Sequence, residues 1–286
     1  MKKSIIFCLC VALVALFISC DKKEGVYNPS KKIQKIYTVE DGDKELSEVW
    51  HWDGKVLTSI DYIDDMYATT ATFSYDKNNR MIAMDADGAH SEFIYDGKYI
   101  KKIETTYEGV VVSTTEFDHQ NGKISEMRLT DVFMNDLVWD KMLLVNPMRY
   151  IIPEAFPVVE KTMKKCAKAK GNDQIIIKLN WKGNNANSME ITSTMWGQTM
   201  TEYIELTFDN MNNPMYGLLT SMGSDVATNL FVNKNNPLSM TYSYLGLEAG
   251  KVNYTYEYEN NFPTKITMIE IDDGDVEDTE TFIYEY

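Results

Sequence analysis

A short turn motif recurs along this chain and constrains its fold more than any other feature. An aromatic or apolar pair at positions i and i+2 is followed by Asp or another polar residue, by Gly, Asn or Lys, and by a second apolar run. Residues at i and i+2 lie on one face of a strand, and the intervening polar residues are those that form tight turns. Each copy therefore predicts a β-hairpin. Copies begin at Trp50, Phe73, Phe93, Glu116, Leu206, Phe231 and Tyr256, with a half copy at Phe282.

Apolar and polar residues alternate within the strand segments. Val252, Tyr254 and Tyr256 interleave with Asn253 and Thr255, so one face of the sheet is apolar and the other faces water. The fold class is therefore all-β, a long curved antiparallel meander of roughly 14–18 strands. The pattern leaves open whether this sheet closes into a barrel.

The series of hairpins is interrupted once, at about residues 130–174. Within this insertion Val159, Met163, Cys166 and Ala167 share one helical stripe, with lysines mostly opposite. This spacing predicts a helix near residues 157–169, with Cys166 as a buried packing residue. The remaining sequence from 31 to 286 is interpreted as one β domain that contains this insertion.

The N-terminus has the layout of an export signal. Two basic residues, Lys2 and Lys3, precede an apolar run over residues 5–18 that ends in Ser19 and Cys20. The run is shorter than the ~20 residues that a membrane-spanning helix needs. We interpret residues 1–19 as a signal peptide and residues 20–30 as a tether. A signal cut elsewhere, with Cys20 incidental, is the alternative.

Two resemblances follow from these residues. The segment that ends in Cys20 resembles the lipobox of bacterial lipoproteins, which implies lipidation of Cys20. The hairpin motif resembles the tyrosine-aspartate repeat of bacterial surface and toxin-shell proteins. The whole layout is similar to a family of Gram-negative lipoproteins of unknown function with a porin-like β fold. These resemblances imply a lipid anchor in the outer membrane, on either its periplasmic or its cell-surface face.

Charge and cysteine content narrow the function classes. Cleavage before Cys20 removes Lys2 and Lys3 and no acid, so the formal net charge changes from −15 to −17. Such a chain is repelled by phosphate-rich polymers, and nucleic acid is not an expected partner. Cys8 and Cys10 leave with the signal and Cys20 carries lipid, so Cys166 has no disulfide partner within the mature chain.

No motif in the chain points to a catalytic, cofactor or metal site. The three histidines, His51, His90 and His119, are interpreted as partly exposed strand or turn residues, with His119 in a turn. The acidic run at residues 272–278 is interpreted as a solvated hairpin loop, although its oxygens leave calcium binding open. The polar face opposite the aromatics speaks against strands that face lipid.

The function predicted from these observations is a binding or scaffold role in the cell envelope, with a glycan or a protein as ligand. An envelope hydrolase acting on polysaccharide or peptide is the alternative. The oligomeric state is not encoded in any pattern that we can identify.

The lipid anchor generates the first testable prediction. Replacing Cys20 with Ser removes the acceptor thiol, so the variant should move from the membrane pellet to the soluble fraction when cells are fractionated. The Cys166→Ser variant is the matched control and should stay in the pellet with the parent. If Cys20→Ser also remains in the pellet, the lipoprotein interpretation is wrong.

Overall fold

Sixteen strands form one closed antiparallel barrel in the computed structural model of the chain. The structure describes residues 29–40, 42–54, 56–63, 68–77, 80–131, 158, 174–195, 198–216, 233–244, 247–272 and 274–286. The strands are β1 (Lys35–Glu40), β2 (Asp43–Asp53), β3 (Val56–Ile63), β4 (Ala68–Tyr75), β5 (Met81–Ala86), β6 (Ala89–Asp96), β7 (Tyr99–Tyr107), β8 (Val110–Gln120), β9 (Lys123–Asp131), β10 (Gln174–Lys182), β11 (Asn185–Met195), β12 (Gln198–Phe208), β13 (Pro237–Tyr244), β14 (Leu247–Glu259), β15 (Phe262–Asp272) and β16 (Asp275–Glu285).

Each strand pairs with its neighbours in sequence, and β1 also pairs with β16, which closes the sheet. At this seam Lys35 lies opposite Glu285, and Ile36 lies opposite Tyr284. Closure leaves no free strand edge in the barrel. The prediction of an all-β antiparallel meander is confirmed, and the question of closure is answered in favour of a barrel.

The inner face of the barrel carries the apolar core. Along β4 and β6 buried and exposed residues alternate, with Ala71, Phe73, Ser91 and Phe93 buried. In a closed single sheet only the lumen excludes water, so the buried phase points inward. One connected cluster of buried apolar side chains extends from Ile36 on β1 to Tyr254 on β14.

Polar residues recur along the outer face of the strands, beside exposed apolar side chains such as Ile63, Ile94 and Tyr203. Threonines form cross-strand hydrogen bonds, for example between Thr192 and Thr201 at 3.3 Å. Arg128 on β9 donates to Asp118 at 2.5 Å and to Glu126 at 2.7 Å. Exposed ion pairs of this kind add little stability. Their consequence is a surface suited to water, because charged side chains at mid-strand are costly against lipid.

The helix predicted near residues 157–169 and its Cys166 lie outside the described residues, apart from Val158. Val158 has a helical backbone and packs against the barrel core. In the part of the chain that the structure describes, no helix is long and apolar enough to cross a bilayer.

The two ends of the barrel differ in chemistry. We call the end where β2, β4, β6, β8, β10, β12 and β14 finish the aromatic end, because Trp52, Tyr75, Tyr95, Trp181 and Tyr286 lie there. We call the opposite end the acidic end. Its connections and flanking strand residues include Glu40, Asp43, Asp87, Glu108, Asp272 and Asp275.

A β-bulge recurs where the strands reach the aromatic end. On β2 and β3, His51 pairs with Ser59 but Trp52 pairs with Leu57, so Thr58 is the extra residue. The same register shift occurs in all seven strand pairs that connect at this end. Bulges of this kind bend and twist the strand locally. The extra residues are Thr58, Ile82, Lys101, Ser125, Asn187, Leu238 and Thr264.

Aromatic side chains at this end are locked to the neighbouring strand. The Tyr75 hydroxyl donates to the Leu57 carbonyl at 2.8 Å, and the Trp181 indole donates to the Ile124 carbonyl at 2.7 Å. Four more such bonds of 2.6–2.8 Å run around the barrel. The remaining donor–acceptor pairs are Trp52 with Ile33, Tyr95 with Met81, Tyr256 with Pro237, and Tyr286 with Pro263.

Three of these aromatic rings also contact a cationic side chain, and this side chain donates a hydrogen bond to a carbonyl of the turn. The guanidinium of Arg80 lies 4.7 Å from the Tyr95 ring centre and donates to the Gly97 carbonyl at 2.8 Å. A glycine two residues after the aromatic, with positive φ, recurs in each case. Cation–π contacts of this kind contribute modestly at exposed sites. The two other sets are Lys32 with Trp52 and Gly54, and Lys123 with Trp181 and Gly183.

The structure corrects two details of the motif series. The sequence analysis treats Leu206 and Phe231 as the starts of separate hairpins, but β12 pairs with β13 across one long connection, and Phe208 lies opposite Pro237. It also omits the β10–β11 hairpin, in which Trp181 precedes Lys182 rather than Asp. Because Lys182 occupies the position of the aspartate in the motif, the sequence analysis did not recognise this copy.

The aromatic hydrogen bonds give the second prediction. Tyr75→Phe removes the bond to the Leu57 carbonyl and should lower the free energy of unfolding by about 1 kcal/mol. Tyr203→Phe is the matched control, because Tyr203 is 45% exposed on the outer face, and it should change stability by less than about 0.5 kcal/mol. Urea unfolding measures both. Equal effects of the two variants would mean that the Tyr75 bond contributes nothing.

Candidate functional site

Four carboxylates face the lumen near the acidic end, and we call them the acidic wall: Glu48, Glu270, Asp278 and Glu280. Their direction follows from register. Tyr284 pairs with the buried Ile36 at the seam, and a period of two carries the same inward face to Glu280 and Asp278. The next pairs along β15 and β16 place Asp278 directly opposite Glu270.

Glu48 reaches the wall from the other side of the seam. It pairs with Tyr62 on β3, and its neighbour in the same phase is Trp50; both of these residues are buried. The four carboxylates therefore come from β2, β15 and β16. β15 and β16 are neighbours through their hairpin, and β2 lies one strand away from β16 only because β1 pairs with both.

Water reaches this sector of the inner face. On β6 and most of the opposite wall the inward residues are buried, whereas residues 275–280 of β16 are exposed in both phases. Glu270 is exposed as well. An inward-facing stretch that is open to solvent is accessible to a ligand that enters from the acidic end.

Aromatic side chains donate hydrogen bonds to two of the wall carboxylates. The Trp50 indole donates to Glu48 at 2.8 Å, and the Tyr242 hydroxyl donates to Glu270 at 3.2 Å. These bonds orient the two carboxylates. Tyr284 lies on the same inner face as the acidic wall. Burial, and then the charge of Glu48, raise the pKa of Tyr284 above its ordinary value.

Tyr242 reaches Glu270 because Gly250 lies beneath its ring. The two residues are paired on β13 and β14, and a Cβ at position 250 would overlap the hydroxyl and ring of Tyr242. Burial of the hydroxyl, with added effect from the charges of Glu270 and Asp272, raises the pKa of Tyr242 to about 12. Tyr242 is therefore a neutral donor throughout the physiological range.

Neighbouring carboxylates change the pKa of one member of the acidic wall. Partial burial, and then the neighbouring Asp278 and Glu270, raise the pKa of Glu280 above its ordinary value. Carboxylates that lie close together repel one another, and a cationic or donor-rich ligand reduces this repulsion. The wall thus combines anionic acceptors with aromatic surface, a combination suited to amino and hydroxyl groups.

The structure does not bring the three histidines together. His51 and His90 lie on the outer face, each 47% exposed, paired with Asp61 at 2.6 Å and with Asp85 at 2.7 Å. His119 lies in β8 at the bulge rather than in a turn. Its ring is 4.9 Å from Tyr99, and burial lowers the pKa of His119 below its ordinary value. None of the three contributes to the acidic wall.

The acidic run at residues 272–278 spans the hairpin between β15 and β16, where Asp272 lies opposite Asp275. Within the described ranges, no group of three His, Cys, Asp or Glu side chains is arranged to hold a metal ion. Cys20 lies outside the described residues, so its lipidation stays a prediction.

Sequence reasoning missed the wall although a signal was present. Asp278, Glu280, Phe282 and Tyr284 occupy one phase of a single strand. When the inward positions of one strand change from apolar residues to acids, the lumen changes from a packed core to a region that water fills. The sequence analysis interpreted Asp278 as part of a solvated loop and gave Glu280 no role.

The fold has known counterparts. No protein-family model matches the chain, and no curated protein matches it. The crystal structure of a porin-like protein from Bacteroides uniformis ATCC 8492 matches with a TM-score of 0.50 at 12% identity, over 92% of this chain and 99% of that one. A porin-like protein from Bacteroides vulgatus ATCC 8482 matches with a TM-score of 0.45 at 9% identity, over 90% and 99%. At such identity the likeness to the first shows the fold alone, and it confirms the expected porin-like β fold.

The contact between Gly250 and Tyr242 gives the third prediction. Gly250→Ala should displace the Tyr242 ring, break its bond to Glu270 and cost about 1–3 kcal/mol of unfolding free energy. In a Tyr242→Ala background the same change meets no ring and should be neutral or slightly stabilising. A double-mutant cycle measured by urea unfolding tests this. A cost that is equal in both backgrounds would contradict the contact.

Proposed function

We propose that this protein is a lipid-anchored binding protein of the Gram-negative outer membrane, whose acidic wall captures a ligand that enters through the acidic end of the barrel. The observation that carries the proposal is the set of four lumen-facing carboxylates. The ligand class that fits them offers amino or hydroxyl donors: a basic peptide segment or an amino-bearing glycan.

Three features support binding at this position. Glu270, Asp278 and Glu280 are open to water on a face that is otherwise packed. Trp50 and Tyr242 fix two carboxylates by hydrogen bonds, which reduces the ordering cost when a ligand binds. The formal net charge of −15 attracts basic partners and repels phosphate polymers.

The envelope location is supported by the export signal that ends in Cys20 and by the fold. The B. uniformis structure that shares this fold is described as porin-like. The polar outer face of the barrel suits a domain held beside the membrane by lipid on Cys20 rather than one embedded in it. An anchor of this kind raises the local concentration of the domain, so that weak binding at the wall is sufficient.

One observation favours a second candidate, an envelope hydrolase. Glu280 has a raised pKa and lies beside Asp278 and Glu270 on the same inner face. A carboxylic acid with a raised pKa beside a second carboxylate is the arrangement that acid–base hydrolysis of glycosides requires. A substrate entering from the acidic end would meet these groups.

The fourth prediction tests the wall. The full chain in detergent is assayed against basic peptides and amino-bearing glycans, and the double variant Glu270→Gln/Glu280→Gln should bind at least about tenfold more weakly, a loss of roughly 1.4 kcal/mol. The matched control is Glu190→Gln/Glu205→Gln, which makes the same charge change on the outer face of β11 and β12. The control should bind like the parent. Equal losses in both variants would reject the wall as the site.

The same preparation, incubated with polysaccharide and peptide substrates, separates the two candidates. Turnover that Glu280→Gln abolishes while ligand binding persists would establish the hydrolase. Binding without turnover, lost in the wall variant, would establish the binding protein.

A further inference from the structure

We infer that His119 is an acid-sensitive point in the aromatic end of the barrel. When its neutral imidazole takes up a proton, the ring leaves its enclosed position and the end of the β8–β9 hairpin loosens. His119 takes no part in the acidic wall, so the inference is independent of the ligand and of the anchor in the proposed function.

His119 occupies a position that a large aromatic side chain fills in the neighbouring hairpins. Beyond each bulge, one residue of this series pairs across the hairpin: Tyr75 with Met81, Tyr95 with Ile100, His119 with Ile124, and Trp181 with Ala186. Phe117 is buried two residues earlier on β8, so the imidazole shares the inward phase of the strand.

The aromatic members of this series reach a backbone carbonyl, whereas His119 does not. Tyr95 donates to Met81, and Trp181 donates to Ile124, each at 2.7 Å. In both cases the acceptor is the residue that pairs with the preceding member of the series. The same rule assigns the Ile100 carbonyl to His119, but an imidazole is shorter than a phenol or an indole. Its Nε2 atom is enclosed by protein and makes no hydrogen bond within the part of the chain that the structure describes.

A proton changes the chemistry of this position. A neutral imidazole has one donor and one acceptor nitrogen, whereas the cation donates from both. An enclosed cationic donor without an acceptor loses its hydration and gains no hydrogen bond in exchange. Burial accordingly lowers the pKa of His119 below its ordinary value, and the charge of Asp118 offsets this effect only in part.

The charged groups described around the imidazole already have other contacts. Tyr99 on β7 lies against it, with the two ring centres 4.9 Å apart, and Lys98 lies 5.0 Å from the centre of the same Tyr99 ring. Asp118 is the next residue of β8, but it is on the outer face and accepts a hydrogen bond from Arg128 at 2.5 Å. A cation on the imidazole would therefore share the Tyr99 ring with a lysine and find Asp118 already paired.

Ile124 connects His119 with the next hairpin. It pairs with His119 and is fully buried, and its carbonyl accepts the bond from the Trp181 indole. Lys123 on the same strand lies 4.8 Å from the Trp181 ring centre. Since only Gln120 follows His119 on β8, the ring reaches water by rotating at the end of the strand. Its departure removes support from Ile124 and weakens the bond to Trp181.

Acidification therefore destabilises the folded barrel through this residue. A histidine in the unfolded chain takes up its proton near pH 6.5, and His119 in the folded barrel takes it up at lower pH. The contribution of neutral His119 to stability is complete above about pH 6.5 and decreases as the pH falls below that value. It stops changing once the pH is below the folded-state pKa.

The fifth prediction compares the parent with His119→Phe, which keeps a ring at this position but binds no proton. The full chain in detergent is unfolded with urea at pH 7.5 and at pH 5.0. The folded-to-unfolded ratio should fall at least about threefold more in the parent than in His119→Phe, because the carboxylates are common to both. His51→Phe and His90→Phe change exposed histidines of the outer face. These matched controls should not reduce the fall that the parent shows.

Amide hydrogen exchange locates the change within the barrel. After correction for intrinsic exchange rates, protection of residues 117–126 in the parent should fall on acidification at least about threefold more than protection of β14. β14 is a suitable reference because it lies six strands away from β8. His119→Tyr is the second variant, since it supplies the phenol that Tyr75 and Tyr95 use, and it should abolish this local response.

Two results would overturn the inference. One is an equal loss of stability between pH 7.5 and pH 5.0 in the parent and in the His119 variants. The other is a fall in protection that is spread evenly over the strands of the parent, which remains measurable even if neither variant folds.

Discussion

The pairing of β1 with β16 is the interaction on which the rest of the structure depends. It joins strands from opposite ends of the sequence, and the Tyr37 hydroxyl donates to Glu285 across a separation of 248 residues. Without this seam the inner face would be an open sheet, and its apolar residues would have no enclosed space to fill. The seam also brings Glu48 on β2 to the sector of the lumen that β15 and β16 line, so the acidic wall exists only in the closed barrel.

The acidic wall and the packed core both lie on the inner face of the barrel, because the two ends of the barrel are built differently. At the aromatic end every connecting strand pair carries a bulge, and the indole and hydroxyl groups of large aromatic side chains satisfy neighbouring carbonyls. This removes polar groups from the lumen at little cost, since each donor finds an acceptor. Near the seam at the acidic end the inward residues become acids, and a dry interior is no longer possible. The asymmetry separates a packed end from an end where the lumen is open to water.

The sequence predicted the strand order, the hairpins and the inward aromatic phase because these depend on local rules. Aspartate or glycine after an aromatic, as at Tyr95-Asp96-Gly97, fixes a turn within four residues. It did not predict closure, because no local pattern in β1 or β16 specifies which edge meets which. It missed the acidic wall for the same reason: only the seam brings Glu48 to the sector of the lumen that Glu280 lines. It also missed the β10–β11 hairpin, because Lys182 replaces the expected aspartate.

The seam has a consequence for the order of events during biogenesis. Since β1 finds its second partner only in β16, the barrel cannot close until β16 has been synthesised. Long-range pairings of this kind form late and slowly, since the intervening chain must be organised first. During that interval two unpaired strand edges and a partly formed lumen are exposed, which invites aggregation and proteolysis. A nascent chain already attached to a membrane through its N-terminus would be kept apart from other copies while it waits for its last strand.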